Sequence, residues 1–271
     1  MIVGFTEPGL MTSGGKYADR LAALPADVAS LAAVAQGLLI HEFLVGQYGV
    51  TLADEDKWTV HLRPVERILE AIVERDDRPL DVPREPAGRT ASNCRGFTVL
   101  MVAMLRAKGV PARSRCGFGT YFTDGWFEDH CVAEYWRAED QRWVRADAQI
   151  DGVQRQLFGM EFDPLDLPAG AFLTGGEAWQ LIRAGKADPD RFGLSSIPES
   201  GDWWIAGNLM RDVAAMAGVE TLPWDVWGSM PEPGAPVDVE LFDRMAAGQV
   251  PVTVPEQVFS VLRKRLEPLT S

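Results

Sequence analysis

Cys94, His130 and Asp147 occur in that order along the chain, and a thiol, an imidazole and a carboxylate are the groups that nucleophilic acyl chemistry combines. In such a set the thiol attacks a carbonyl carbon, the imidazole takes and returns protons, and the carboxylate holds the imidazole in one tautomer. The neighbours of Cys94 suit that role. Residues from Phe97 to Leu105 are apolar except Thr98, so Cys94 to Lys108 predicts a helix buried on nearly every side. Ser92 or Asn93 can cap its first turn, Gly109 supplies a left-handed stop, and Pro111 forbids continuation. A thiol in the first turn lies against helix N–H groups and the positive end of the dipole, which favour the thiolate.

The elements that must present the other two residues follow at once. Ala112 to Phe118, Asp129 to Trp136 and Arg142 to Asp147 have strand composition and are separated by turn formers. His130 falls near the start of the second strand and Asp147 at the end of the third. Asp147 has a competing role as a turn carboxylate paired with Arg145 or Arg142, and Asp151 is the runner-up orienting group. Gln149 shares strand parity with Asp147 and is a support candidate. The backbone N–H of Cys94 is the obvious oxyanion donor, and Asn93 is a second candidate by adjacency, its other role being the N-cap amide.

At these residues the chain resembles the transglutaminase-like superfamily, the papain-type thiol enzymes in which Cys, His and Asp follow in that order. The matching pieces are Asn93-Cys94-Arg95, the run from Leu105 to Arg113, the strand from His130 to Trp136, and the run from Arg142 to Asp147. The resemblance implies an α+β fold with a papain/transglutaminase-like core, in which a buried helix carrying the nucleophile packs on an antiparallel sheet and extra helices stand at both flanks. It implies Cys94 as nucleophile, His130 as general base and acid, and Asp147 as orienting carboxylate. Many members place a small or hydroxyl residue and a Trp around the Cys, whereas Arg95-Gly96-Phe97 follows it here, which leaves substrate choice open.

Other reactive types have quieter readings. Cys116 falls in mid-strand, and strand alternation turns Cys131 to the face opposite His130, so both read as packing residues. His41 lies in a run that superficially resembles a zincin helix, but Val45 stands where a second His would be needed. His61 precedes Arg63-Pro64 at a helix entrance. With no C-x-x-C and no His pair at ligand spacing, neither a metal nor any other cofactor is expected. Trp203, Trp204, Trp224 and Trp227 crowd a short stretch and fit either a core or a substrate-binding cleft. Trp126 and Phe127, on a Gly-containing turn before His130, are gate candidates.

The 271 residues are 46% hydrophobic and 24% charged, an ordinary globular composition. A net charge of −13 disfavours a general grip on nucleic acid or anionic membrane and fits neutral or cationic ligands better; the acyl chemistry read above implies a peptide or a small-molecule amide or ester as the partner. Three cysteines are too few for a disulfide framework. No apolar run approaches membrane-spanning length, and the N-terminal residues lack a signal-like pattern, so a cytoplasmic location is expected. One domain over 1–271 is expected, with its core at about 60–160, a helical flank at 1–60 and a Trp-rich extension at 161–271. In the flanks, helical spacing predicts helices over Tyr17 to Leu24, Pro25 to Val45, Arg63 to Arg75, Glu177 to Ala184, Trp203 to Ala217, Val237 to Ala247 and Pro255 to Leu266. Asp76 to Thr90 reads as an extended strap, and 148 to 176 as an irregular wrap.

Overall fold

In the computed structural model, which describes residues 4–197, 199–251, 253 and 255–270, capping chemistry marks where most helices begin. Two helices, α1 (Ala18–Ala22) and α2 (Val28–Leu38), come first, and the Asp27 carboxylate accepts from the Ser30 N–H at the start of α2. Strand β1 (Leu39–His41), helix α3 (Val65–Arg75), strand β2 (Thr90–Ser92) and helix α4 (Cys94–Ala107) follow. Then come β3 (Ala112–Gly119), β4 (Phe127–Arg137), β5 (Arg142–Ala146) and the short helix α5 (Gly152–Leu157). The remainder holds β6 (Phe172–Thr174), α6 (Gly175–Arg183), β7 (Phe192–Leu194), β8 (Glu199–Ser200), α7 (Asp202–Met216), β9 (Asp225–Val226), α8 (Val239–Ala246), β10 (Gln257–Ser260) and β11 (Arg265–Pro268). The fold is α+β.

The chain divides into two compact units, the first comprising Met1–Ser114, Val132–Leu167 and Thr270–Ser271, the second Arg115–Cys131 and Pro168–Leu269. In the first, α4 is the centre of the hydrophobic core: every residue from Phe97 to Leu105 is buried. Around it pack Leu31, Ala35 and Leu38 of α2, Ile68 and Ile72 of α3, Ala133 and Tyr135 of β4, and Val144 and Ala146 of β5. Burying a Leu, Ile or Phe side chain contributes on the order of 1.5–3 kcal/mol, and this concentration of them puts α4 at the centre of the unit's stabilising burial. Strands β4 and β5 pair antiparallel with Ala133 opposite Ala146 and Arg137 opposite Arg142.

In the second unit, β3 pairs antiparallel with β6, β7 adds to β4 in parallel through Phe127 and Glu128, and β8 closes the edge. Helix α7 is tied to β3 by Asp212, whose carboxylate takes a two-pronged ion pair from Arg115 at 2.9 and 2.7 Å and a hydrogen bond from the Cys116 N–H. Phe192 stacks on Phe127 with ring centres 4.0 Å apart and meets Phe118 edge-on at 5.1 Å.

Two expected helices differ from the structure for identifiable reasons. The run from Pro25 to Val45 is helical only to Leu38. There the strap docks on the helix end, with the Arg84 N–H donating to the Gly37 carbonyl at 2.9 Å and Pro83 so near that a Cβ on Gly37 would crowd it. The chain then turns extended as β1, which pairs in parallel with β2. A partner distant in sequence overrides local periodicity. Pro255 to Leu266 is the β10–β11 hairpin instead of a helix. Val258 and Ser260 point inward while Gln257 and Phe259 point out, a period of two, and Lys264 takes a left-handed turn conformation at φ 51°. Within the irregular stretch after Asp147, α5 forms because the Asp151 side chain caps it, accepting from Val153 and Gln154.

Candidate active site

Cys94 is the first residue of α4 and is 7% exposed. Asn93 is the N-cap: its Oδ1 accepts from the Gly96 N–H at 3.1 Å and its Nδ2 donates to the Val60 carbonyl at 3.0 Å. The cap is therefore clamped from both ends of its amide. Gly96 has a steric reason to be glycine, since a Cβ there would drive into the Ser92 hydroxyl. Arg95, 1% exposed, donates to the carbonyls of Leu62 and Arg63 and so ties the first turn of α4 to the segment entering α3. The sequence alone gives Arg95 and Gly96 no role; in the structure both hold the first turn of α4 in place.

A residue that sequence reading missed stands beside this turn. β1 and β2 pair with His41 opposite Ser92, and the next N–H, that of Glu42, donates to the Ser92 carbonyl at 2.9 Å. Glu42 thus emerges next to Asn93 and Cys94. Burial pushes its carboxyl above the ordinary value, His41 opposes that shift, and the nearby Cys94 thiol adds to it. Only the parallel pairing of two three-residue strands brings Glu42 here, and no local pattern encodes that pairing. His41 itself accepts a hydrogen bond at Nδ1 from the Phe43 N–H at 3.3 Å.

Asp147 directly follows β5, is 1% exposed, and accepts from the Gln149 N–H at 3.0 Å. Its own N–H donates to the Pro164 carbonyl at 2.7 Å. The loop behind it is pinned twice. Gln36 Nε2 donates to the carbonyls of Ala148 and Ile150 at 3.2 and 3.1 Å. Gln149 Nε2 donates to Gln154 Oε1 at 2.9 Å, Gln154 Nε2 donates to the Tyr48 hydroxyl at 3.0 Å, and that hydroxyl donates to Asp151 Oδ2 at 2.9 Å. Burial, first among several influences, holds the Tyr48 phenol well above its ordinary value, so it remains a donor to Asp151. Asp151, the runner-up orienting group, is committed as helix cap and as Tyr48 acceptor. Gln149 is placed with its amide nitrogen toward Gln154, a supporting arrangement for the Asp147 loop.

His130 belongs to the second unit and is 3% exposed. The Phe122 ring stands edge-on to the imidazole at 4.8 Å between centres and Tyr121 at 6.2 Å. Its neighbours along β4 are engaged on the same unit. Glu128 accepts from the Ser195 N–H at 3.0 Å, and burial pushes its carboxyl up against the opposing pull of Ser195 and His130. Asp129 accepts from Trp204 Nε1. Trp203 meets Trp204 edge-on at 5.0 Å, so this pair of the Trp cluster belongs with the His130 strand. Trp224 and Trp227 flank β9, in the separate three-stranded sheet β11-β10-β9. Trp126 donates to the Gly193 carbonyl at 3.3 Å, and Phe127 lies stacked on Phe192. Among the described residues no group of three or more His, Cys, Asp or Glu side chains could hold a metal ion, and no helix is long and apolar enough to cross a membrane.

Residues 69–148 match the family model described as the transglutaminase-like superfamily. That segment runs from within α3 to just past Asp147 and covers the region carrying Cys94. Among solved structures, a proposed cysteine protease from Cytophaga hutchinsonii is similar at 15% identity and a TM-score of 0.36, over 64% of this chain and 45% of that one. Red sea bream transglutaminase is similar at 16% identity and a TM-score of 0.34, over 50% of this chain and 26% of that one. The chain thus spans less than half the length of either structure. No curated protein is a significant match to the chain.

Proposed function

We propose that the protein catalyses thiol-dependent acyl transfer on a peptide or small-molecule amide or ester, with Cys94 as nucleophile, His130 as proton carrier and Asp147 as the group that orients the imidazole. The observation that carries this reading is that one family-model segment, 69–148, brackets all three residues in the order Cys, His, Asp, with the Cys at the capped start of a buried helix. The Cys94 thiolate adds to the carbonyl carbon, and the negative charge that moves onto the oxygen is met by the Cys94 backbone N–H. As the C–N or C–O bond breaks, His130 gives its proton to the leaving nitrogen or oxygen, leaving an acyl thioester. Water then attacks that thioester while His130 takes its proton, and the acid leaves as the Cys94 sulfur departs.

Water is the default acceptor because it is always present in excess, which makes hydrolysis the main outcome and aminolysis the alternative. Intact-mass analysis after exposure to a library of amides and esters tests the reading. An acyl adduct mapped to Cys94, absent from Cys94→Ala, supports it. A panel that leaves Cys94 unmodified while the protein still binds one of those compounds would make the chain a non-catalytic binding protein on this fold. Turning over an ester with increasing lysine-like amine then separates the two acceptors: acid as the dominant product at sub-millimolar amine supports a hydrolase, and amide supports a transferase.

A further inference from the structure

Glu42 also lines a shallow depression of about 430 Å³ in the first unit, together with Phe43, Val45, Gly46, Val50, Thr51, Leu52 and Lys57. That volume lies in the lower part of the range that small-molecule sites occupy, roughly 300–1,000 Å³. Its walls are mainly apolar, and Phe43 is 71% exposed at its rim, edge-tilted against His41 at 5.6 Å. Two charged side chains face it. Lys57 is an ion-pair partner of Asp54, whereas among the described residues no Lys or Arg forms an ion pair with Glu42. A half-buried carboxylate whose charged neighbour is the His41 imidazole and which has no Lys or Arg ion pair, at the edge of an apolar depression and one residue across the β1–β2 ladder from the nucleophile's cap, is a charge requirement left partly unfilled beside the thiol.

We propose that Glu42 is a specificity residue for the molecule that Cys94 attacks, and that this depression takes an alkyl chain ending in a cation, such as a primary ammonium, carried by that molecule. This inference rests on the acyl-transfer reading above. Glu42 stands beside Cys94 in the free protein, so the first molecule to arrive meets it. The cation has a second effect there. An ionised Glu42 is a like charge opposing the Cys94 thiolate, and a bound ammonium neutralises it, so substrates that carry the matching charge meet a better nucleophile.

The test uses the full-length protein and three chloroacetamides of equal chain length ending in an ammonium, a neutral hydroxyl or a carboxylate, with the rate of Cys94 alkylation followed by intact mass and peptide mapping. In the parent protein the ammonium probe is expected to react about 10-fold faster than the hydroxyl probe, the size of one close, partly screened charge pair, and the carboxylate probe slowest. In Glu42→Gln the ammonium-to-hydroxyl ratio is expected to fall below about 3, and in Glu42→Lys the order of the charged probes is expected to invert. An ammonium preference that survives unchanged in Glu42→Gln would belong to the net charge of −13 and overturn the proposal. Equal parent rates with all three probes would also overturn it, while leaving a reactive Cys94 and the acyl-transfer reading intact. If no probe modified Cys94 faster than Cys116 and Cys131, the reactive thiol itself would be absent and both readings would fall together.

Discussion

Cys94 on one side, and Cys116 with Cys131 on the other, are the same residue type in opposite backbone settings. Cys94 stands at the start of a capped helix, where the dipole and the first-turn N–H groups favour negative charge on sulfur. Cys116 lies on β3 and Cys131 on β4, both buried, with their sulfurs 3.5 Å apart. A strand, unlike a helix start, has only a small net dipole. Burial alone does not separate the two settings, since all three cysteines are buried; the backbone that presents each thiol does.

The largest effect that would sharpen this contrast is loss of the nucleophile. Cys94→Ala is expected to lower kcat by on the order of 10³-fold or more while the unfolding midpoint stays near that of the parent. Near-parental turnover of a hydrolysed ester would break the comparison outright. His130→Ala is expected to cost almost as much, and the double variant with Cys94→Ala little more than either single change, because residues acting as a unit do not add. Additive losses in steady-state kinetics would mean that the two work separately. Asp147→Asn is expected to fall less far, on the order of 10²-fold, since the orienting group is the least indispensable member of such a set. Unchanged activity there would move the orienting role to another group.

Smaller effects are expected at residues of the second unit. Trp204→Phe removes the donor to Asp129, next to His130, and is expected to lower kcat/KM by about 3–10-fold with the fold retained, a fraction of what a hydrogen bond to a charged group contributes. Cys116→Ser and Cys131→Ser are expected to leave turnover within about 10-fold, any loss tracking a fall in stability of about 1 kcal/mol seen in urea unfolding. A loss at either position matching that of Cys94→Ala would erase the distinction between the thiols.

What could be read beforehand follows the reach of each physical rule. Helix α4 was legible to within a residue because its cap, its all-round apolar run and its Gly-Pro stop are all local. The strands β3, β4 and β5 were legible for the same reason, from composition and the turns between them. Asn93 emerged as the cap that its residue type predicts. Glu42 was not legible, because its place beside Cys94 depends on β1 pairing with β2 across the intervening α3 and the strap, and helical periodicity ran straight through it. The β10–β11 hairpin was hidden likewise: Leu262-Arg263-Lys264-Arg265-Leu266 has good helix formers, but the partner strand decides. The division of the aromatic residues, with Trp204 on Asp129 and Trp227 by β9, is a matter of packing that no spacing in the chain encodes.

Alkylating the full-length protein with iodoacetamide at pH 6, with each cysteine followed by peptide mapping, distinguishes a nucleophilic Cys94 at the capped start of α4, assisted by His130, from an inert one. Cys94 is expected to react at least about 10-fold faster than Cys116 and Cys131, as a thiol of depressed pKa does below neutrality, and His130→Ala is expected to remove most of that advantage. Cys94 reacting no faster than the two strand cysteines would contradict its role as nucleophile.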